Sequence, residues 1–313
     1  MPKKFFAAAI LFSLIIGALF LVGCTSDGGA PAAILMPDRN ANSVVVQGVT
    51  LQRVHELPAV WADIPQEVEP DTFAQDVTTT NLLQLSPLYQ GELLAMMHTS
   101  EGDIVLRFFP TEAPMAVENF LVHAWDGFYD GIIFHRVIPN FMVQTGCPLG
   151  NGTGGESIWG GTFGQELSTE LRHFRGALAM AQTREPNSIR SQFYVVQNND
   201  LNAGDRHTFT QHLGRQDERL ETFPDGTTVY FRDVFPAEAM NYFIENGGTP
   251  HLDWHFSDNP HTVFGHVVWG MDVIDAIATT QVRGGPQGAP DRDRPVDDII
   301  IEGFTFFTVQ GGV

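Results

Sequence analysis

The sequence predicts a mainly β domain, either a barrel or a sandwich with helical caps. Short apolar runs recur between turn residues from Glu92 onward, beginning with "ELLAMMHTSEGDIVLRFFP". Two or three helical segments interrupt these runs, and many short strands with few helices favour a barrel or sandwich over a parallel α/β sheet. The length of 313 residues corresponds to one large domain or two small ones.

Each predicted element follows from its residue pattern. The turn signal "SEGD", at 100 to 103, separates two strands. Residues 111 to 125 predict a helix, because apolar side chains recur on one face and Thr111 is a candidate N-cap. Further strands are expected within 131 to 146, 175 to 182, 191 to 197, 261 to 270 and 296 to 307, and a second helix at 271 to 280.

The chain is acidic, with a formal net charge of −20. A nucleic-acid-binding protein needs a basic face, so this composition argues against that class of function. We interpret the acidity as a contribution to solubility.

The first 24 residues have the parts of an export signal. Lys3 and Lys4 precede an apolar run, which ends in "LVGC" at 21 to 24. Such a run is typical of a secretory signal peptide and also of a short membrane span. The ending resembles the bacterial lipobox, in which the cysteine is lipidated and becomes the first mature residue. We therefore expect residues 1–23 to be a lipoprotein signal peptide and lipidated Cys24 to anchor the domain at the extracytoplasmic face of the cell membrane, with an uncleaved anchor as the alternative.

Two segments are expected between this signal and the main domain at 92–308. Residues 24–40 are rich in Gly, Pro, Ser and Ala, which predicts a flexible tether. Residues 41–91 combine strand-like and proline-broken acidic stretches, so they form either an arm on the main domain or a linker. With Cys24 lipidated, Cys147 lacks a disulfide partner and is expected to be buried.

The run "FHRVIPNFMVQTG", at 134 to 146, differs from an ordinary buried strand. Seven of its thirteen residues are apolar or aromatic, yet it also contains His135, Arg136 and Gln144. Arginine is rarely buried without a partner. Arg136 is therefore either a salt-bridged residue of the fold or part of a functional site.

The order of the motifs resembles the cyclophilin family of peptidyl-prolyl isomerases. Besides 134 to 146, the similar segments are "NGTGGESIWG", "GALAMAQ", "SQFYV", "GGTPHLD" and "HTVFGHVVWGMDVIDAI". The resemblance covers about residues 92 to 308 and implies an eight-stranded antiparallel barrel capped by two helices. It also implies an enzyme that accelerates rotation about Xaa-Pro bonds of polypeptides and needs no cofactor.

The implied chemistry gives Arg136 a role. Rotation must overcome amide resonance, a barrier of roughly 18–20 kcal/mol. The proline nitrogen regains its lone pair in the twisted amide, so a donor aimed at that nitrogen stabilises the transition state. The resemblance assigns this donor to Arg136, in a pocket expected to be dry, where the interaction is stronger.

The resemblance also implies the other site residues. Phe141 and Gln144 complete the catalytic set, with Gln144 orienting the guanidinium of Arg136. Phe141 and other apolar side chains form a cup for the proline ring, and His135 is structural. The substrate-binding residues are expected to be Met142, Ala181, Gln182, Gln192, Tyr194, His251, Leu252 and His261.

The sequence departs from the usual family pattern in three places. Tyr194 stands where phenylalanine is usual, so its hydroxyl needs water or a partner at the floor of the cup. His251 stands where tryptophan is common, which predicts weak sensitivity to cyclosporin. An insertion at about 197–250 is expected to hold a hairpin at 221 to 231 and a helix at 235 to 248, and it either shapes substrate access or stabilises the surface.

No metal is expected, although His251, His255 and His261 lie close together in the sequence, because their spacing fits no template for a metal site. We expect a monomer that assists the folding of exported proteins. One alternative is a module that binds proline-containing peptides without turnover. The other is a surface scaffold that recruits a partner through residues 41 to 90 and the insertion.

Overall fold

The computed structural model describes residues 40–46, 48–58, 82–185, 187–222, 228–253, 257–286, 289 and 291–310. The expected signal peptide, Cys24 and nearly all of the tether lie outside this part of the chain. Within it, no helix is both long enough and apolar enough to span a membrane.

Twelve strands and five α-helices occur in the described residues. The strands are β1 (Ser43–Val46), β2 (Val49–Arg53), β3 (Leu93–Thr99), β4 (Gly102–Phe108), β5 (Arg136–Ile138), β6 (Met142–Thr145), β7 (Ala177–Met180), β8 (Phe193–Val196), β9 (Arg219–Thr222), β10 (Thr228–Tyr230), β11 (Val263–Trp269) and β12 (Ile301–Val309). The helices are α1 (Pro114–Trp125), α2 (Ala203–Leu213), α3 (Phe231–Val234), α4 (Ala237–Asn246) and α5 (Met271–Thr279).

Eight strands form a continuous antiparallel array in the order β12-β3-β4-β11-β7-β8-β6-β5. The two ends of this array meet before β5 and at the start of β12. There the N–H of Phe134 donates to the carbonyl of Ile299 at 2.9 Å, and the N–H of Ile301 donates to that of Ile132 at 2.9 Å. The predicted mainly β, antiparallel eight-stranded fold is confirmed.

Helices α1 and α5 pack on the main hydrophobic core, as predicted. The ring of Phe120 on α1 lies 5.0 to 5.5 Å, between centroids, from the rings of Phe108, Phe193 and Phe264. Ile274 on α5 is fully buried in the same core. These contacts hold the strands that carry the candidate site.

The start of α1 differs from the prediction, because Thr111 is not its N-cap. The cap position is Ala113, whose side chain makes no capping bond. The carboxylate of Glu166 supplies the bonds instead, accepting the N–H groups of Met115 and Ala116, each at 2.9 Å. Burial raises the pKa of Glu166 to about 7, against the opposing effect of these two hydrogen bonds.

The raised pKa of Glu166 predicts that stability depends on pH. A carboxyl with a higher pKa in the folded chain favours folding most below its unfolded value of 4.5, and this contribution is lost as pH rises through about 7. We expect the free energy of unfolding to fall by about 2–3 kcal/mol over this interval, relative to a Glu166→Gln variant. Urea unfolding at a series of pH values measures this free energy. Profiles of unfolding free energy against pH that run parallel for the two proteins would contradict the prediction.

The described parts of residues 41–91 pack on the barrel. Strands β1 and β2 form a hairpin, and β2 extends the sheet by pairing with β12. Residues 82–92, here called the strap, are held by Arg107. Its Nε donates to Glu92 Oε1 at 2.9 Å, and its Nη1 donates to the carbonyl of Ser86 at 2.6 Å.

The insertion packs in a small hydrophobic core that it shares with Leu82 and Phe174. Strands β9 and β10 pair in antiparallel fashion, as expected for a hairpin, and the intervening residues 223–227 lie outside the described part of the chain. Helix α4 follows Pro236 and ends before Gly247, as predicted, whereas α2 and α3 were not predicted. The ring of Phe243 lies 4.6 Å from that of Phe174 and 5.4 Å from that of Phe209, between centroids. Phe174 precedes β7, so the insertion packs directly on the strand region of the site.

Candidate active site

Arg136 begins β5 and lies opposite Gln144 of β6. Its Nη1 donates to Gln144 Oε1 at 3.3 Å, and its Cζ lies 5.8 Å from the ring centroid of Phe141. The side chain is exposed, whereas His135 and Val137 on either side are buried. The expectation of a dry pocket around Arg136 is therefore wrong for the free protein, in which the guanidinium lines an open groove.

A chain of amide side chains orients the arginine. Gln144 Nε2 donates to Gln192 Oε1 at 3.1 Å, which leaves Gln144 Oε1 facing Arg136. Gln192 Nε2 in turn donates to the carbonyls of Gly152 and Gly154, at 3.0 and 2.7 Å, in the glycine-rich loop. The structure thus brings Arg136, Gln144 and Gln192 together as the sequence predicted.

An apolar cup adjoins this polar chain. Met142 and Tyr194 are buried in one hydrophobic cluster, and Phe141 and Leu252 pack against it while partly exposed. Leu83, in the strap, also packs against this cluster, and no sequence motif pointed to this residue. The cup therefore combines β6, β8, the turn at 250–252 and the strap.

Two histidines lie at the rim of the cup. The ring of His251 stacks on Phe141 with centroids 5.7 Å apart, and His261 Nδ1 lies 3.1 Å from the carbonyl oxygen of Met180. Burial lowers the pKa of His261 to about 4, and burial also lowers that of His251. Both rings are consequently neutral near pH 7, so the only permanent cation among the predicted site residues is Arg136.

The floor of the cup contains two residues that the sequence reasoning missed. The hydroxyl of Tyr194 lies 3.1 Å from His173 Nε2, and His173 Nδ1 lies 2.7 Å from Asp253 Oδ1. The partner expected for the Tyr194 hydroxyl is therefore His173. A tyrosine at an apolar floor signalled that a partner exists, but its identity depends on tertiary structure.

Ala181 and Gln182 follow β7 beside the cup. The N–H of Ala181 donates to the backbone carbonyl of Gln192 at 2.9 Å. Gln182 Nε2 donates to Asn259 Oδ1 at 3.0 Å and to the carbonyl of Pro260 at 2.8 Å. The amide nitrogen of Gln182 is thus used within the protein, and its oxygen is the group suited to a substrate N–H.

His135 and Cys147 lie near the site and are both buried. Burial lowers the pKa of His135 to about 4, which agrees with its interpretation as a structural residue. Cys147 is buried, as expected, and its Sγ accepts the N–H of Gly154 at 3.3 Å. His255 lies outside the described residues, and among those described no three His, Cys, Asp or Glu side chains are grouped as a metal site would require.

A family model described as cyclophilin type peptidyl-prolyl cis-trans isomerase matches residues 94–305. The chain belongs to this family. A protein of Staphylococcus aureus (strain USA300) named as a peptidyl-prolyl cis-trans isomerase is 40% identical over 213 residues, which cover 68% of this cyclophilin and 91% of the relative. One of Staphylococcus haemolyticus (strain JCSC1435) is 40% identical over 224 residues, covering 71% and 96%. A crystal structure of a Cryptosporidium parvum cyclophilin, determined in the presence of the dipeptide Ala-Pro, aligns at 23% identity with a TM-score of 0.47, covering 70% of this chain and 99% of the other.

Proposed function

We propose that this cyclophilin catalyses cis–trans isomerisation of Xaa-Pro bonds in the groove beside Arg136. The observation that carries the proposal is the position of the guanidinium, fixed by Gln144 at 3.3 Å and 5.8 Å from the ring of Phe141. A fixed cationic donor at the edge of an apolar cup is suited to a substrate with an apolar ring and a nitrogen that becomes basic.

The reaction follows from these positions. A proline ring seated against Phe141, Met142 and Leu252 places its nitrogen toward the guanidinium. One arginine nitrogen bonds Gln144, and the planar fork still offers donors to the twisted amide. The bound peptide covers Arg136 and displaces water, so the donor acts in a lower dielectric than in the free groove.

The chemistry requires no proton transfer, which agrees with the histidines at the rim. His261 has a pKa lowered to about 4, and burial also lowers the pKa of His251. Neither ring carries a charge that would compete with Arg136 for the twisted amide or repel the guanidinium near pH 7.

The test uses the full chain in detergent micelles with an Ala-Ala-Pro-Phe peptide. NMR exchange spectroscopy measures the rate of cis–trans exchange, which takes tens to hundreds of seconds without a catalyst. Exchange that is faster in proportion to protein concentration supports the isomerase. Line broadening from binding, without faster exchange, would instead identify a receptor for proline-containing peptides.

We also propose that lipidated Cys24 anchors the protein at the extracytoplasmic face of the membrane, where it assists the folding of exported proteins. The supporting feature is the "LVGC" ending of the apolar amino-terminal run. Two acyl chains suffice for stable anchoring of a soluble domain. A domain held there meets polypeptides as they emerge unfolded.

If Cys24 is lipidated, incorporation of an acyl label into the protein requires this cysteine. Cells fed an alkyne-tagged palmitate are expected to label the wild-type chain and not Cys24→Ser. Cys147→Ser is the matched control and is expected to keep the label, because Cys147 is buried in the domain. Label retained by Cys24→Ser would contradict the proposal.

A further inference from the structure

A buried relay of three side chains lies beneath the cup. The hydroxyl of Tyr194 lies 3.1 Å from His173 Nε2, and His173 Nδ1 lies 2.7 Å from Asp253 Oδ1. The exposed fractions of Tyr194, His173 and Asp253 are 3%, 1% and 2%. Because the carboxylate only accepts, His173 Nδ1 donates to Asp253, and the other ring nitrogen is within hydrogen-bond distance of the Tyr194 hydroxyl. Hydrogen bonds shielded from water in this way hold their groups firmly in place.

His173 also holds both ends of the turn at 250–252, at the rim of the cup. Its backbone N–H donates to Asp253 Oδ1 at 2.7 Å, and its carbonyl accepts the N–H of Thr249 at 2.8 Å. His251 and Leu252 lie between these two attachment points. A single residue therefore connects the floor of the cup, at Tyr194, with the wall at Leu252.

The wall and floor have further fixed contacts. The carbonyl of Leu252 accepts the N–H of His261 at 3.1 Å, and the ring of His261 lies 5.6 Å from that of Tyr194, between centroids. Leu252 and Tyr194 belong to the same apolar cluster. The distance between Leu252 and Tyr194 is thus set by the hydrogen bonds of His173 and Asp253 and by the packing of the His261 ring.

We propose that the Tyr194–His173–Asp253 relay is a positioning device that sets the width of the cup and selects the five-membered proline ring against larger cyclic imino acids. The proposal rests on the proposed isomerase function. An apolar pocket separates ligands that differ by one methylene by about 10–200-fold, and only if its walls do not yield. The hydrogen bonds of the relay hold the ring of Tyr194 in place, whereas an aromatic ring without a hydroxyl would be held by packing alone.

The chain offers a matched control. His98 Nδ1 lies 2.8 Å from Asp103 Oδ1, and His98 Nε2 lies 2.8 Å from Thr305 Oγ1, so the same three kinds of group recur in the same order. These residues are buried on β3, β4 and β12, strands that carry none of the site residues. Breaking this second relay costs stability without touching the cup.

The experiment compares Tyr194→Phe, which removes one hydroxyl and keeps the ring, with Thr305→Val. For each full-length variant in detergent, exchange spectroscopy gives kcat/KM on an Ala-Ala-Pro-Phe peptide and on its counterpart with six-membered pipecolic acid. We expect both variants to have a lower Tm. In Tyr194→Phe the preference for the proline peptide is expected to fall about fivefold or more, whereas Thr305→Val keeps the wild-type preference.

A second pair of variants tests the far end of the relay. Asp253→Asn keeps an acceptor oxygen for His173 and is expected to retain most of the ring-size preference, whereas Asp253→Ala loses it. An unchanged preference in Tyr194→Phe, with a loss of Tm like that of Thr305→Val, would overturn the proposal. Dissociation constants for both peptides separate this result from a failure of the isomerase function, because selection by ring size persists in binding when turnover is absent.

Discussion

Replacing Arg136 by alanine is expected to lower kcat/KM for Xaa-Pro isomerisation by about 10²–10³-fold. The guanidinium is the permanent cation of the predicted site and is held beside the cup by Gln144. Removing it deletes a donor that acts on the twisted amide more than on the planar one, so the loss falls on the transition state. Exchange spectroscopy of the peptide with wild-type and variant protein measures the effect.

The controls separate chemistry from folding. Because Arg136 is exposed, Arg136→Ala is expected to unfold at nearly the wild-type urea concentration. Arg136→Lys keeps the charge but loses the planar fork, so its activity is expected to lie between those of the wild type and Arg136→Ala. Wild-type kcat/KM in Arg136→Ala would remove this residue from the mechanism.

Replacing Glu92 by alanine is expected to lower the free energy of unfolding by about 3–5 kcal/mol. Glu92 and Arg107 are 2% and 4% exposed, and their charged atoms lie 2.9 Å apart. Burial raises the pKa of Glu92, which Arg107 opposes. Removing the carboxylate leaves a buried guanidinium whose remaining described hydrogen bond is to the carbonyl of Ser86. Urea unfolding followed by tryptophan fluorescence gives the value.

Two comparisons test this explanation. Arg215 and Glu218 form an exposed ion pair at 2.8 Å. Glu218→Ala is therefore expected to lower the free energy of unfolding by about 1 kcal/mol or less. The double variant of Glu92→Met with Arg107→Met removes both charges and is expected to be more stable than Glu92→Ala. Equal losses in Glu92→Ala and Glu218→Ala would show that burial of the pair does not matter.

The sequence predicted the parts of the fold that local patterns encode. Strand-like runs, the helix near α5 and the Pro and Gly bounds of α4 depend on residues close together in the chain. The residues within 134 to 146 that were predicted to be catalytic or to form the cup also lie close together, and pairing of β5 with β6 brings Arg136 opposite Gln144. Their proximity therefore follows from one short hairpin.

The missed features depend on residues far apart in the chain. Glu166 caps α1 from 50 residues away, and Asp253 bonds His173 across 80 residues. No local pattern encodes such pairs, since they follow from how distant strands pack. The error about Arg136 has a local cause, because side chains alternate along a strand and β5 turns Arg136 outward while Val137 points inward.

The pairing of β12 has a consequence for how the protein folds. Phe306 of β12 lies opposite Ala95 of β3, and the start of β12 also bonds the segment before β5. Contacts between residues so distant in sequence make folding slow, because a large loop must close before they form. Because β12 is the last of the eight strands in chain order, the barrel closes only after β12 has been synthesised. Until then one edge of β3 is unpaired, and strands of other chains can pair with it.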